Sequence, residues 1–156
     1  MRIHYVCLGN AYRSPIAEAY TKFYLESQGI EGIAVVSSGT IASEEYEHTR
    51  PVAASTCRFL GGKGLAAYAK TDSDQLTPEL IRHGDITVCM NAKVREGYDQ
   101  IAQLPNQTTY TWDITDSDEC GQPAPVPGGE KWLEHTERIY KQITDLVHEL
   151  VHRQIA

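Results

Sequence analysis

No run of about eighteen apolar residues, the length a membrane-spanning helix needs, occurs anywhere in the 156-residue chain. The opening stretch "MRIHYVCLG" also lacks the long apolar segment of a secretory leader and reads instead as a first strand. Cysteine is scarce. Cys7, Cys57, Cys89 and Cys120 are separated by 50, 32 and 31 positions, which matches no zinc-ligand spacing. A chain of this length does not need disulfide staples, so a reducing cytoplasm is the expected location. There is no basic block, and the formal net charge of -7 argues against nucleic acid as a partner. The nucleotide-loop pattern G-x-x-x-x-G-K-S/T and the dinucleotide pattern G-x-G-x-x-G are both missing. No repeat, low-complexity tract or linker interrupts the chain, which predicts one domain over residues 1–156.

What is present is an alternation of strands and helices. "IHYVCL" (3–8), "IAVVSSG" (33–39), "ITVCM" (86–90) and, more weakly, "TTYTWDI" (108–114) are apolar runs without strict alternation, as buried parallel strands require. Between them lie helical patterns over 14–29, 50–62, 77–84 and 91–101, the last of these broken or ended near Gly97. In the first, Ser14 is a candidate N-cap, Pro15 a first helical residue and Gly29 a stop, with Ile16, Ala19, Tyr20 and Phe23 on one face. In the second, Val52, Cys57 and Leu60 are candidate inward residues. The C-terminal pattern is the clearest: Trp132, Thr136, Ile139, Tyr140, Ile143, Val147, Leu150 and Val151 form one stripe. Residues 117–130 are rich in turn formers and read as a surface loop. The alternation predicts a three-layer α/β domain with a mostly parallel sheet.

The stretch "CLGNAYRSP" (7–15) joins the first strand to the first helix, at the strand's carboxyl end, where open α/β sheets carry their sites. Successive N–H groups of a tight loop and the start of a helix together make a bowl for a tetrahedral oxyanion. Gly9 permits unusual backbone geometry, and Asn10 tolerates a left-handed turn. Arg13 offers a planar fork for two oxygens of one anion. Cys7 sits at the base, where these donors and the Ser14 hydroxyl favour its thiolate. A thiolate beneath a phosphoryl group is a nucleophile poised for attack. Cys7, Leu8, Gly9, Asn10, Ala11, Tyr12, Arg13 and Ser14 are therefore the predicted phosphate-binding residues. Cys57 and Cys89 read as core.

Such chemistry gains from a general acid. "TWDITDSDE" (111–119) offers Asp113, Asp116 and Asp118, and spacing does not choose among them. Tyr12 and Tyr46 are candidates for an aromatic rim around a phenyl ester. Trp112 reads as core, and His4 and His48 as structural or solvent-exposed.

"VCLGNAYRSPIAEA" (6–19), "VSSGT" (36–40), "QLTPELI" (75–81), "DITVCM" (85–90) and "WDITDS" (112–117) resemble the low-molecular-weight protein tyrosine phosphatase family over nearly the whole chain. The resemblance implies an α/β/α sandwich with a four-stranded parallel sheet and phosphomonoester hydrolysis through a phosphocysteine, without metal or organic cofactor. It implies that Cys7 is the nucleophile, that Arg13 binds the anion, and that Asn10 and Ser14 tune the thiolate. It aligns the family's acid best with Asp116, and less well with Asp113. The expected substrates are phosphotyrosine proteins or small aryl phosphates, with phosphate and vanadate as inhibitors, no membrane partner, and a monomer or weak dimer. Three departures stand out. Tyr12 occupies the place of a second, protective cysteine. Ser117 replaces the proline after the acid. Ala11 replaces a bulkier residue, a change that keeps phosphoarginine open as a substrate. Two more activities fit the same loop: arsenate reduction, with Cys89 or Cys120 relaying a disulfide, and phosphate binding without turnover.

Overall fold

A computed structural model describes residues 1–45, 52–102 and 108–155. They belong to two compact units, Met1–Asp113 and Ile114–Ala156.

Four parallel strands organise the first unit: β1 (Arg2–Cys7), β2 (Ala34–Gly39), β3 (Ile86–Cys89) and β4 (Thr108–Thr111), in the spatial order β2-β1-β3-β4. All four predicted apolar runs became strands, although β4 stops short of the predicted 108–114. The central strands β1 and β3 are buried almost throughout, as strands covered on both faces must be. Strand β4, at one edge, is threonine-rich and half exposed. From β1 the chain crosses first to β2 on one side and later to β3 on the other. The carboxyl ends of β1 and β3 therefore flank the switch point at which open α/β sheets bind ligands.

Parallel pairing requires long crossovers. Here they carry α1 (Arg13–Ser27), α2 (Ala42–Glu45), α3 (Ala54–Gly62), a 3-10 turn (Ala66–Tyr68), α4 (Pro78–Arg82) and α5 (Ala92–Ile101). Helix α1 packs on β1 and β2, and α5 on β3 and β1. Thr77 caps α4 and Asn91 caps α5, each side chain accepting from an N–H in the first turn. Helix α1 starts earlier than its pattern predicted. Tyr12 holds the cap position but makes no side-chain capping bond to the first turn, and Ser14 lies inside that turn. The Ser14 hydroxyl is bonded to Cys7 and Asn10 instead, so it is unavailable as a cap. The helix ends as predicted, with Gly29 at φ 66° and the Ile30 N–H returning to Leu25 O at 2.9 Å.

Other details depart from the pattern. Phe23 leaves the buried face of Ile16, Ala19 and Tyr20 and is 37% exposed. Cys57 is half-buried, although Val52 and Leu60 beside it are core. Gly97 does not break α5, because its bare Cα lets Thr40 pack closely: a Cβ there would stand 3.2 Å from Thr40 Cβ. Trp112 is half-buried, with its ring 5.6 Å from that of Tyr5.

The second unit contains a 3-10 turn (Ser117–Glu119), inside the predicted loop, and the long α6 (Glu130–Gln154). Its buried stripe runs Trp132, His135, Thr136, Ile139, Ile143, Val147, Leu150 and Val151, with Tyr140 half-buried and His135 taken in. No described helix is long and apolar enough to cross a membrane.

One buried titratable group in the sheet has a measurable consequence. His4 on β1 is fully buried, with Nε2 2.7 Å from Ser38 Oγ and Nδ1 without a partner among the described residues. Burial, and then the positive charges of Lys70 and Arg2, lower its pKa from 6.5 to about 4. The folded state thus holds His4 neutral while the unfolded chain protonates it below pH 6.5. The resulting stability is intact above that pH and is lost as pH falls towards 4, by roughly 3 kcal/mol at the lower end. Urea titrations from neutral pH down to about pH 4.5 should show this loss in the wild type, and His4→Gln should have a flatter dependence.

Candidate active site

Cys7 is the last residue of β1 and only 2% exposed. Its Sγ lies 2.9 Å from Ser14 Oγ and accepts the Asn10 N–H at 3.3 Å. Asn10 can reach back because it adopts φ 52°, the left-handed conformation that asparagine tolerates better than most residues. Four carbonyls around the loop accept bonds from outside it. Cys7 O takes the Thr40 N–H and Leu8 O the Ile41 N–H, both at 3.0 Å. Asn10 O takes the Ser73 hydroxyl and Ala11 O the Thr56 hydroxyl, both at 2.8 Å. In a planar trans peptide the C=O and the following N–H point in opposite directions. The N–H groups of Leu8, Gly9, Ala11 and Tyr12 are thereby turned away from those partners. Arg13 follows as the first residue of α1 and is 1% exposed.

A second layer holds this loop. Asn10 Oδ1 accepts from Lys70 Nζ and from the Asp74 N–H, each at 2.8 Å. Its Nδ2 donates to Ser14 Oγ and Ser37 Oγ, also at 2.8 Å. Ser37 donates to the Glu18 carboxylate, which also pairs with Lys22 at 2.8 Å. Gly39 ends β2 directly against the loop. A Cβ on it would stand 2.3 Å from Leu8 O and 2.7 Å from Asn10 N. The glycine this site requires on steric grounds is therefore Gly39.

Sequence reasoning identified Cys7, Asn10, Arg13 and Ser14, and the structure brings Cys7, Asn10 and Ser14 into one bonded cluster. It missed Glu18, Ser37, Gly39, Thr56, Lys70, Ser73 and Asp74. Glu18 alone left a trace, as a charge within the buried first half of α1. The others lie between 27 and 64 positions from Asn10 or on loops, where no periodicity connects them.

The acid candidates divide between the units. Asp113 is exposed and closes the first. Asp116 is half-buried in the second, where its Oδ1 accepts the Ser117 N–H at 2.8 Å and starts the 3-10 turn. Asp118 is exposed beside it. The residue before Asp116 is tied to α6, since buried His135 places Nε2 2.9 Å from Thr115 O. Of the rim candidates, Tyr12 is 9% exposed and Tyr46 lies outside the described residues, as does His48. Cys89 is a core thiol, pushed up to about 12 chiefly by burial. Cys120 is exposed and donates to Ser117 O at 3.0 Å.

A parallel sheet at whose switch point a buried cysteine sits beneath a donor-lined loop, followed by an arginine at a helix start, defines a cysteine-dependent phosphatase domain. The model of the low molecular weight phosphotyrosine protein phosphatase family matches residues 2–155, and the chain belongs to that family. Its fold is the family's three-layer α/β/α sandwich around a four-stranded parallel sheet. The family hydrolyses phosphomonoesters through a phosphocysteine, with an arginine and loop donors on the phosphoryl oxygens and an aspartate as general acid and base. Among solved structures, a low molecular weight protein tyrosine phosphatase from Bacillus subtilis is 21% identical, with full coverage of both chains and a TM-score of 0.77. Wzb from Vibrio vulnificus, solved with benzylphosphonate, is 20% identical at TM-score 0.74, covering 95% of this chain and 97% of its own. The YwlE arginine phosphatase of Bacillus subtilis, solved as a mutant with a phosphorylated active-site serine, is 21% identical at TM-score 0.75, covering 99% and 98%. No curated protein sequence matches significantly.

The close approach of β2 to the loop can be tested. Gly39→Ala must push Leu8 and Asn10 out of place. Displacements of about 1 Å in a preorganised site cost on the order of a hundredfold in rate, so kcat/KM for p-nitrophenyl phosphate should fall by at least that much. His135→Ala should release Thr115 and lower stability in urea titrations by about 1 kcal/mol or more, the scale of one lost neutral hydrogen bond.

Proposed function

We propose that this protein removes phosphate from phosphotyrosine side chains of proteins, with Cys7 as nucleophile, Arg13 and the loop N–H groups of residues 8–14 as the oxyanion cradle, and Asp116 as acid and base. The observation that carries the reading is the Cys7 sulfur held between the Ser14 hydroxyl and the Asn10 N–H, inside a loop whose carbonyls are bonded outward.

The chemistry follows from that arrangement. The thiolate attacks phosphorus, an S–P bond forms, and the P–O bond to the leaving group breaks. Negative charge spread over the equatorial oxygens meets the loop N–H groups and the Arg13 fork, donors that need no reorganisation. Asp116 gives its proton to the departing phenolate oxygen. As a carboxylate it then takes a proton from the water that attacks the phosphocysteine, the S–P bond breaks, and phosphate leaves a regenerated thiolate.

The family description supports phosphotyrosine, and the benzylphosphonate complex of the Vibrio vulnificus relative is in keeping with an aryl substrate. Ala11 gives a specific reason to compare phosphoarginine, since it stands where the family commonly has a bulkier residue and one structural relative is an arginine phosphatase. Asp116 is favoured over Asp113 by its match to the family's acid and by the His135 tether one residue before it. A single domain over 1–156, a cytoplasmic setting and a monomer or weak dimer complete the proposal. Phosphate and vanadate should compete with substrate.

Cys7→Ser should abolish turnover of phosphotyrosine peptides, and a Cys7→Ser enzyme with wild-type turnover rules the mechanism out. Asp116→Asn should slow turnover by about a hundredfold or more, the scale of a general acid, and remove the alkaline limb of its pH profile. Asp113→Asn should leave that limb in place. The reverse pattern reassigns the acid to Asp113. Phosphoarginine turned over faster than phosphotyrosine by the wild type overturns the substrate assignment and leaves the mechanism standing.

A further inference from the structure

We propose that Lys70 is a positioning residue for the nucleophile: by holding Asn10 Oδ1, its ammonium fixes the direction in which protons run through Asn10 and Ser14 to Cys7. The inference rests on the reading of Cys7 as nucleophile and adds a residue that acts on it from a distance.

An ammonium can only donate. Lys70 Nζ contacts three acceptors, Asn10 Oδ1 at 2.8 Å, Ser37 O at 3.0 Å and Asp74 Oδ2 at 2.8 Å, and its side chain is 11% exposed. The Asp74 N–H, another obligate donor, reaches the same Asn10 oxygen at 2.8 Å. These two donors force the amide nitrogen of Asn10 to face the other way, towards Ser14 and Ser37. Ser37 gives its own proton to Glu18, so it accepts from Asn10. Ser14 likewise accepts from Asn10 and keeps one proton to give. Its nearest acceptor is Cys7 Sγ at 2.9 Å, against Ser38 O at 3.4 Å. The hydroxyl therefore donates to sulfur, alongside the Asn10 N–H, and both bonds favour the thiolate.

Lys70 supplies the charged bond of the pair on Asn10 Oδ1, and a charge-assisted bond is roughly twice as strong as a neutral one. Without it, the amide has less to lose by turning over. A turned amide presents its oxygen to Ser14, whose proton is then drawn away from the sulfur. Among the described residues, the charged and titratable groups tied to the network are Glu18 and Lys22 on α1 through Ser37, Arg13 beside Ser14 at the start of α1, His4 on β1 through Ser38 and the charge of Lys70, and Lys70 and Asp74 in the segment after the first 3-10 turn. Lys70 is the charged side chain bonded to Asn10 itself.

The test is the pH dependence of Cys7 alkylation by iodoacetamide, read by mass spectrometry of the Cys7 peptide, with melting curves for every variant. In Lys70→Met and Lys70→Gln the midpoint should move to higher pH by about one unit, a tenfold change in thiolate below it. Turnover of p-nitrophenyl phosphate near pH 6 should fall by a similar factor. Lys70→Arg, still a cation that only donates, should restore the wild-type midpoint. A folded Met or Gln variant with the wild-type midpoint overturns the proposal, whatever its turnover. If Met fails to fold, Gln decides. If only Arg folds, the role is structural and the proposal falls. The underlying reading fails separately: Cys7→Ser with full turnover removes the nucleophile, whereas an inactive Cys7→Ser with unshifted Lys70 variants removes Lys70 alone.

Discussion

The bonds from Thr40, Ile41, Thr56 and Ser73 to the carbonyls of residues 7, 8, 10 and 11 are the constraint on which the rest of the molecule's chemistry depends. A short loop left to itself offers an anion as many acceptors as donors. Once the carbonyls are occupied from outside, peptide planarity commits the adjoining N–H groups to the opposite side. The donors come from the end of β2, from α3 and from the segment before α4. The sheet and its crossovers thus act as the mould of the cradle, and its geometry is as rigid as their packing.

That mould explains how a chain of net charge -7 holds an anion site. The relevant field is local. Arg13 is almost completely buried, Lys70 nearly so, and backbone dipoles add to both. Buried charge is costly unless every partner is present. Here Glu18 is met by Ser37 and Lys22, and Lys70 by Asn10, Ser37 and Asp74. Such a network is also directional, because charged ends that can only donate or only accept leave the hydroxyls and amide between them a single consistent arrangement. The absence of a second cysteine beside Arg13 belongs to the same picture. Tyr12 fills that position, and the loop is held by hydrogen bonds from neighbouring elements.

Much of the fold could be read directly. The four apolar runs became the four strands, and the helical patterns became helices, because hydrophobic periodicity reports burial and burial is what the fold maximises. The discrepancies have local causes. Ser14 failed as a cap because its hydroxyl was engaged elsewhere. Gly97 failed as a break because Thr40 packs onto it. Phe23 lies off the core face, and Cys57 is only half covered. In the site, Cys7, Asn10, Arg13 and Ser14 were legible because one continuous segment carries them, and the segment's chemistry is unusual wherever it is met.

The chain alone determined the alternation of strands and helices, the position of the cysteine-to-arginine loop at a strand end, and the chemistry that loop is built for. These depend on residues within a few positions of one another, where spacing translates directly into geometry. Only the tertiary structure decided that Gly39 must have no side chain, that Ser37, Thr56, Ser73 and Asp74 brace the loop, and that Lys70 orients Asn10. Those relations join residues tens of positions apart, and they come into being only when parallel pairing brings the ends of β1 and β2 and the later crossover segments together at the carboxyl end of the sheet.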